Sequence, residues 1–184
     1  MDFSSKFKTI FRSLQSRNYR LFFSGQSISL IGTWMQRIAM PWLVYHLTGS
    51  AFLLGLVSFA GQIPTFLLAP LAGVVTDKFS KYRVLLITQI ISLIQALILA
   101  VLALTGVIQI WHIVVLSIIL GCVNAFDVPS RHSFVIEMVE KKEHLGNAIA
   151  LNSMIFNGAR LIGPSIAGVM LATSGEVVCF LINE

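Results

Sequence analysis

Residues 73–83 read GVVTDKFSKYR, a short charged segment with long apolar runs on both sides. One aspartate in it precedes the three cations Lys78, Lys81 and Arg83. An average soluble domain carries about 25% charged residues, whereas this chain carries 11% and is 56% hydrophobic. So few charges cannot keep the whole surface of a folded chain in water. The composition therefore predicts a protein whose solvent is lipid.

Five apolar segments are long enough to cross a bilayer as helices, which takes about 20 residues each. The predicted spans run over residues 21–47, 51–76, 84–104, 110–126 and 147–173. A sixth apolar segment begins at Val177 and stops with the chain, which predicts an amino-terminal fragment of a longer protein. The sequence thus predicts an all-α membrane protein with about five complete transmembrane helices and the start of a sixth. A basic arm (residues 1–20) would precede this incomplete bundle (residues 21–184).

The connections between the predicted spans alternate between basic and uncharged. Eleven of the thirteen lysines and arginines lie in the arm, in the loop at 77–83 and in a predicted loop at 127–146. The positive-inside rule places these segments, and with them the amino terminus, in the cytoplasm. The formal charge of +5 is scattered between apolar runs, so nucleic acid is not a predicted partner. We predict a multi-pass protein of the cell inner membrane.

Two arginines, Arg37 and Arg160, lie inside predicted spans. An arginine at a helix centre in a bilayer costs about 2.5–3.5 kcal/mol on insertion scales, so each needs a partner. An aqueous cavity, a helix carbonyl end, an acid or an anionic substrate could serve. Polar neighbours at helical spacing, Gln36, Asn124 and Asn157, are predicted to line a substrate cavity with them. The alternative is a structural hub of hydrogen bonds between helices.

No carboxylate falls in the middle of a predicted span. Carriers that use protons as coupling ions need a titratable group in the pathway. In this sequence the candidate is Asp127, which the predicted spans place at the cytoplasmic rim. The sequence leaves open whether protons are the coupling ion and whether Asp127 or a residue beyond this chain binds them.

The segment 73–83 resembles the signature loop of the major facilitator superfamily, G-x-x-x-D-[RK]-x-G-[RK]-x-[RK], which lies between the second and third spans. Ser80 stands where that family commonly has glycine. The matching residues are Gly73, Asp77, Lys78, Lys81 and Arg83. The resemblance implies a cytoplasmic gate at this loop. The alternative is a solvated positive-inside loop with no such role.

A second stretch, ARLIGPSIAG in the fifth span, resembles the glycine–proline motif of exporters in that family. Gly163, Pro164 and Gly168 correspond to it as a helix-packing motif, with one extra residue before the last glycine. The phrases GTWMQRIAMPWLVYHLTGS, NAFDVPSRHSFVIEMV and NAIALNSMIFNGARLIGP are similar to the subfamily of the enterobactin exporter and macrolide-efflux-like proteins. The resemblance covers nearly the whole chain.

What the resemblance implies is a secondary active transporter, working by alternating access, that exports a small molecule such as a siderophore or macrolide-like drug. The family builds its pathway between two six-helix halves, and this chain supplies less than one. The alternative is therefore a non-transporting membrane remnant or assembly module of such a transporter.

An enzyme is the weaker class. The histidines are scattered over loops and span ends, and no HExxH, Gly-x-Ser-x-Gly or phosphate-binding loop occurs. Cys122 and Cys179 lack CxxC spacing. No cofactor, metal site or catalytic residue is predicted.

Overall fold

The computed structural model describes residues 17–139, 145–173 and 175–181. Within these ranges the chain is helical with no strand, as predicted. Its elements are α1 (Arg17–Thr48), α2 (Ala51–Lys78), α3 (Lys81–Leu104), α4 (Ile110–Met138), α5 (Leu145–Thr173) and α6 (Glu176–Leu181). Residues 1–16 of the predicted arm (residues 1–20) and the cations at 141 and 142 lie outside the described residues.

Short turns with local hydrogen bonds separate the first helices. Gly49 (φ 63°) follows α1, a left-handed conformation that glycine adopts without steric cost. The hydroxyl of Ser50 then accepts a hydrogen bond of 3.3 Å from the backbone N–H of Leu53 and caps α2. Gly106 (φ 68°) has the same role after α3. These turns reverse the chain, so successive helices run antiparallel.

The fourth helix is longer than the sequence predicted, and this corrects the predicted loop at 127–146. The predicted span ended at 126, but α4 continues to Met138 with Pro129 inside it. Asp127 and Arg131 are therefore helical residues. They bond to each other across one helical turn, so their polarity does not require the helix to end there.

Four helices, α2 to α5, are long and apolar enough to cross a membrane. The sequence predicted five spans, and α1, although it has 32 residues, is not apolar enough to qualify. Some of its polar side chains lie inside the bundle, because Gln26 and Gln36 are buried. The outside of the bundle is apolar, with Phe66 80% and Leu161 75% exposed. Such a surface suits a hydrocarbon solvent.

Helix packing runs α2 against α4, α1 against α5 and α3 against α4, while α6 packs against α1 and α3. The core cluster lies towards the end of the bundle that holds the carboxyl end of α1. It is formed by Met35, Leu43, Leu99, Ile113, Phe180 and their neighbours.

The opposite end of the bundle brings together the starts of α1, α3 and α5 and the end of α4. The Tyr19 hydroxyl donates a 3.0 Å hydrogen bond to the carbonyl oxygen of Ala148, and burial raises the pKa of Tyr19 to about 12. The rings of Phe22 and Tyr82 pack on Phe134. The basic arm and the two basic loops were predicted to lie on one side of the membrane. Their described residues therefore lie at the same end of the bundle.

Candidate substrate cavity and loop motif

Two adjoining cavities open between the helices. The first has a volume of about 360 Å³ and is lined mainly by α1, α3 and α4. The second has a volume of about 400 Å³ and is lined by α1, α2, α4 and α5. Four residues line both: Trp34, Arg37, Leu120 and Asn124. The two cavities therefore meet at one wall that combines polar, aromatic and aliphatic side chains.

Trp34 is flanked by both arginines of the predicted spans. The guanidinium carbon of Arg37 lies 4.8 Å from the centroid of the Trp34 ring, and that of Arg160 lies 5.8 Å from it. Both distances fall within the range of about 6 Å over which a cation is attracted to an indole face. Phe156 packs edge-on against the same indole, with ring centroids 5.7 Å apart. Trp34 thus supplies part of the stabilisation that each arginine needs.

Neither guanidinium has an ion pair with a carboxylate in the part of the chain that the structure describes. Arg37 lines both cavities and Arg160 lines the second. Their charges are therefore left for a bound group or for water. Two guanidiniums beside an indole suit a ligand that combines an anionic group with a flat or apolar body.

Three of the five predicted cavity residues, Arg37, Asn124 and Arg160, line these cavities. Asn157 does not line either of them. Its side chain is exposed on α5, and its amide nitrogen donates to the Ser153 carbonyl oxygen one turn back, at 2.8 Å.

Gln36 also lies away from both cavities. Its side chain is 1% exposed, and its amide nitrogen donates a 2.9 Å hydrogen bond to Oε1 of Gln95. The amide nitrogen of Gln95 in turn donates a 3.4 Å hydrogen bond to the carbonyl oxygen of Leu116. This chain of amides joins α1, α3 and α4. Gln36 therefore belongs to a hub of hydrogen bonds between helices, which is the structural role that the sequence analysis gave as the alternative for the two arginines.

Asp127 also lines a cavity, although it was not among the predicted cavity residues because the predicted fourth span ended at residue 126. It is 4% exposed and lines the first cavity. Its Oδ1 lies 3.0 Å from the Thr88 hydroxyl and 3.1 Å from the Gln89 amide, which both act as donors. Arg131 donates to Oδ2, and the Ser29 hydroxyl donates to Gln89 at 3.3 Å. The spacing of four between Asp127 and Arg131 is the sequence signal that indicates this pair.

The residues of the loop motif are mostly exposed. The side chains of Asp77, Lys78 and Arg83 form no hydrogen bond or ion pair with described residues. A Cβ added to Gly73 would meet no described atom within 4 Å. The close approach that Gly73 permits is therefore not used within this part of the chain.

Lys81 is the motif residue with a partner. Its ammonium lies 2.7 Å from Oε1 of Glu137, so it joins the start of α3 to the end of α4. Ser80, at the position where the family commonly has glycine, has φ −61°. This is an ordinary conformation for serine, so the turn at Ser80 does not require glycine.

Only part of the predicted helix-packing motif packs against a helix here. A Cβ on Gly163 would lie 2.6 Å from the Cβ of Trp34 and 3.0 Å from the carbonyl oxygen of Ile31, so α1 and α5 cross closely at this glycine. Pro164 lines the second cavity. Gly168 is exposed, with no described atom within 4 Å of an added Cβ. The close crossing places Trp34 beside α5 and its Arg160.

The comparison with protein families agrees with this architecture. A family model of the major facilitator superfamily, described as "transmembrane secretion effector", matches residues 8–184. Because the match covers almost the whole chain, the chain belongs to this family of membrane transporters.

Known relatives carry the names of transporters. The chain is 33% identical over 163 residues to the staphyloferrin A transporter of Staphylococcus aureus, covering 88% of this chain and 41% of that protein. It is 29% identical over 144 residues to the multidrug efflux pump Tap of Mycolicibacterium fortuitum, covering 76% and 35%. With macrolide efflux protein A of Streptococcus pyogenes the identity is 22% over 147 residues, covering 80% and 36%.

The chain therefore spans about 40% or less of the length of these relatives. No solved structure matches it.

Proposed function

We propose that this chain forms the amino-terminal half-bundle of a secondary active transporter that exports a small anionic or amphipathic compound by alternating access. The substrate would be of the siderophore or macrolide-like drug class, as the names of the relatives suggest. The chain itself carries out no catalysis in this proposal. Its two adjoining cavities are half of the binding site, because substrate sites in repeat-built transporters lie between the repeats.

The observation that carries the proposal is the placement of Arg37 and Arg160 around Trp34. An unpaired charge within a membrane-spanning helix is costly, and such residues usually mark a ligand or ion pathway. Both guanidiniums face cavities, and the described residues offer them no carboxylate partner. An anionic group of a substrate would complete their pairing.

Substitution of Arg160 tests the cavity. We expect Arg160→Gln to abolish export of anionic substrates, whereas Arg160→Lys keeps the charge and retains part of the export. The measurement is accumulation of a panel of siderophores and macrolides in cells that express the full-length gene product. Gly168→Ala, on an exposed position of the same helix, is the matched control. Normal efflux in Arg160→Gln would refute the role of this cavity.

The loop motif is proposed as the cytoplasmic gate. Asp77, Lys78 and Arg83 have side chains free for partners beyond the described residues, while Lys81 ties α3 to α4 through Glu137. An acid and several bases at such a junction can form charge-assisted bonds in one state and release them in the other.

We expect Asp77→Asn to impair transport and to leave the amount of protein inserted in the membrane unchanged. Efflux assays and membrane fractionation of the same cells measure the two quantities. Unimpaired efflux in this variant would mean that the loop is a solvated connection without a gating role.

The proposed orientation places the amino terminus and the α2–α3 loop in the cytoplasm, in a bacterial inner membrane. The support is the distribution of lysine and arginine. Reporter tags at Gly49, Ser80, Thr105 and Lys142 should report outside, inside, outside and inside. Any other order would contradict the orientation.

The second candidate function is a non-transporting remnant or assembly module. The observation in its favour is that the matches cover only 35 to 41% of the relatives. The nucleotide sequence after codon 184 separates the two: an in-frame continuation with six further spans favours the transporter, and a stop codon favours the remnant.

A further inference from the structure

A third cavity, outside the candidate substrate site, opens between α1 and α3 near the starts of both helices. Its volume is about 280 Å³. Its apolar walls include Phe22, Tyr82, Leu86 and Phe134, and no charged side chain of the described residues lines it. Tyr82 and Leu86 are also exposed on the surface of the bundle. The cavity therefore opens towards the lipid that surrounds the bundle.

One buried amide in this cavity has an unused donor. Gln26 lines the cavity and is only 8% exposed. Its Nε2 has no hydrogen-bond partner among the described residues, although an amide nitrogen carries two hydrogens that it can donate. A buried donor without an acceptor is destabilising. Gln26 therefore offers a place for one acceptor oxygen inside the cavity.

The other polar side chains of the cavity are bonded within the protein. The Ser29 hydroxyl donates to Oε1 of Gln89 at 3.3 Å, and the Gln89 amide nitrogen donates to Asp127. The free donor of Gln26 thus faces a cavity that is otherwise apolar or internally bonded. A ligand that fits it is uncharged and mostly hydrocarbon, with one good acceptor such as a carbonyl oxygen.

The cavity lies at the depth where a bilayer changes from polar to apolar. Helix α3 has 24 residues, which is about 36 Å of helix, and the hydrocarbon core of a bilayer is about 30 Å thick. An α3 centred in the bilayer begins about 3 Å outside that core, and Gln89 lies about 9 Å inside it. The cavity therefore spans the level at which the acyl chains of membrane lipids are joined to glycerol by ester groups.

We propose that this cavity binds one acyl chain of a membrane glycerolipid, and that the ester carbonyl oxygen of this chain accepts a hydrogen bond from Nε2 of Gln26. The first part of the chain packs on Phe22 and Leu86. A hydrocarbon chain gains no hydrophobic free energy by leaving lipid, so the bond to Gln26 is what distinguishes the bound lipid from its neighbours. Because no charge lines the cavity, the headgroup is not what it recognises.

The bound chain has a structural consequence for the first cavity. Gly25, Ser29 and Gln89 line both the first and the third cavity. Helices α1 and α3 do not pack closely in the described part of the chain, and a Cβ added to Gly25 would meet no described atom within 4 Å. The acyl chain fills this gap and separates the first cavity from the bilayer. The inference goes beyond the proposed function, since neither export nor the two cavity arginines enters it.

The test compares two lipids that differ only in how their chains are joined to glycerol. Diacyl phosphatidylcholine has ester carbonyls, whereas dialkyl phosphatidylcholine of the same chain length has ether oxygens, which are poorer acceptors. The chain is purified in detergent and mixed with equal amounts of both lipids, and native mass spectrometry measures the first lipid retained. We expect about 2- to 10-fold more ester lipid than ether lipid, which is the ratio that one ordinary hydrogen bond supports.

Three variants locate the preference. Gln26→Leu keeps the size of the side chain and removes the donor, so it should retain both lipids equally. Ser27→Ala, at the next position of α1, removes a hydroxyl that donates to the Phe23 carbonyl oxygen at 2.7 Å, and it should keep the preference. Gly25→Leu should fill the cavity and abolish the preference, and it decides the matter if Gln26→Leu fails to fold.

Three results would overturn the proposal. Equal retention of both lipids by the unsubstituted chain would mean that only water bonds to Gln26. A preference that persists in Gln26→Leu would mean that the ester is recognised elsewhere, and one that persists in Gly25→Leu would mean that the lipid lies outside this cavity. None of these results concerns export, because the efflux assay does not involve Gln26. Normal efflux in Arg160→Gln would conversely refute the export function and leave the lipid site standing.

Discussion

The closest helix crossing beside the cavity leads to a prediction with a control in the same motif. Gly163 and Gly168 lie five residues apart on α5, and both belong to the motif that the sequence predicted to pack. An alanine methyl at Gly163 would sit 2.6 Å from the Cβ of Trp34, about 0.8 Å closer than the 3.4 Å at which ordinary contact begins. The Cβ of Trp34 cannot rotate away, since it is fixed to the α1 backbone. The helices themselves must move apart.

The magnitude follows from two opposing terms. Overpacking of this kind costs about 1–3 kcal/mol, and alanine is favoured over glycine in a helix interior by about 1 kcal/mol. We therefore expect Gly163→Ala to lower the free energy of unfolding by up to about 2 kcal/mol. Gly168→Ala, where no described atom lies within 4 Å of the new methyl, should be neutral or stabilising by up to about 1 kcal/mol.

The assay is unfolding of the chain from mixed micelles by sodium dodecyl sulfate, followed by circular dichroism. The two alanine variants have the same composition and the same helix, so their difference reports the α1–α5 contact. Equal unfolding midpoints for both variants would refute the reasoning. A lower midpoint for the Gly168 variant would show that the exposed position packs against something in solution.

Three further predictions concern other contacts. Gly121→Ala should destabilise the α2–α4 crossing by about 1–3 kcal/mol in the same assay, because the methyl would lie 3.2 Å or less from α2 atoms; an unchanged midpoint would contradict this. Gln36→Leu alone should lower the free energy of unfolding by about 1–3 kcal/mol, because the buried Gln95 amide loses its partner. Adding Gln95→Leu should recover part of that loss. Additive effects of the two substitutions would show that the 2.9 Å bond carries no coupling energy. Lys81→Ala should change the free energy of unfolding by less than about 1 kcal/mol, because its partner Glu137 is 52% exposed. A larger loss would show that this ion pair stabilises the bundle more than an exposed pair does.

The sequence alone determined the class of fold and the number of long helices. Low charge and apolar runs of about 20 residues indicate spanning helices, because a helix of that length crosses a bilayer and satisfies its own backbone hydrogen bonds. The basic character of alternate connections follows from the composition of single segments in the same way. Because these are properties of one segment at a time, no knowledge of the packing was needed to infer them.

Part of the candidate site could also be predicted from the sequence. Arg37 and Arg160 stand out because a charge in a span is costly, and both line cavities. The prediction could not name Trp34, because an aromatic residue in an apolar run has no distinguishing signal. Its position between the two guanidiniums depends on how closely α1 crosses α5, and that distance is set by a contact more than a hundred positions apart in the chain.

Tertiary structure alone decided the roles of Gln36 and Asp127. Gln36 belongs to the hydrogen bonds between helices because its amide meets Gln95 from a neighbouring helix. Asp127 marked a loop when its hydropathy was considered alone, yet partners on α3 and one turn along α4 let it stay buried in a continuous helix. The physical reason is that the cost of burying a polar group depends on the groups that face it, and those come from other parts of the chain.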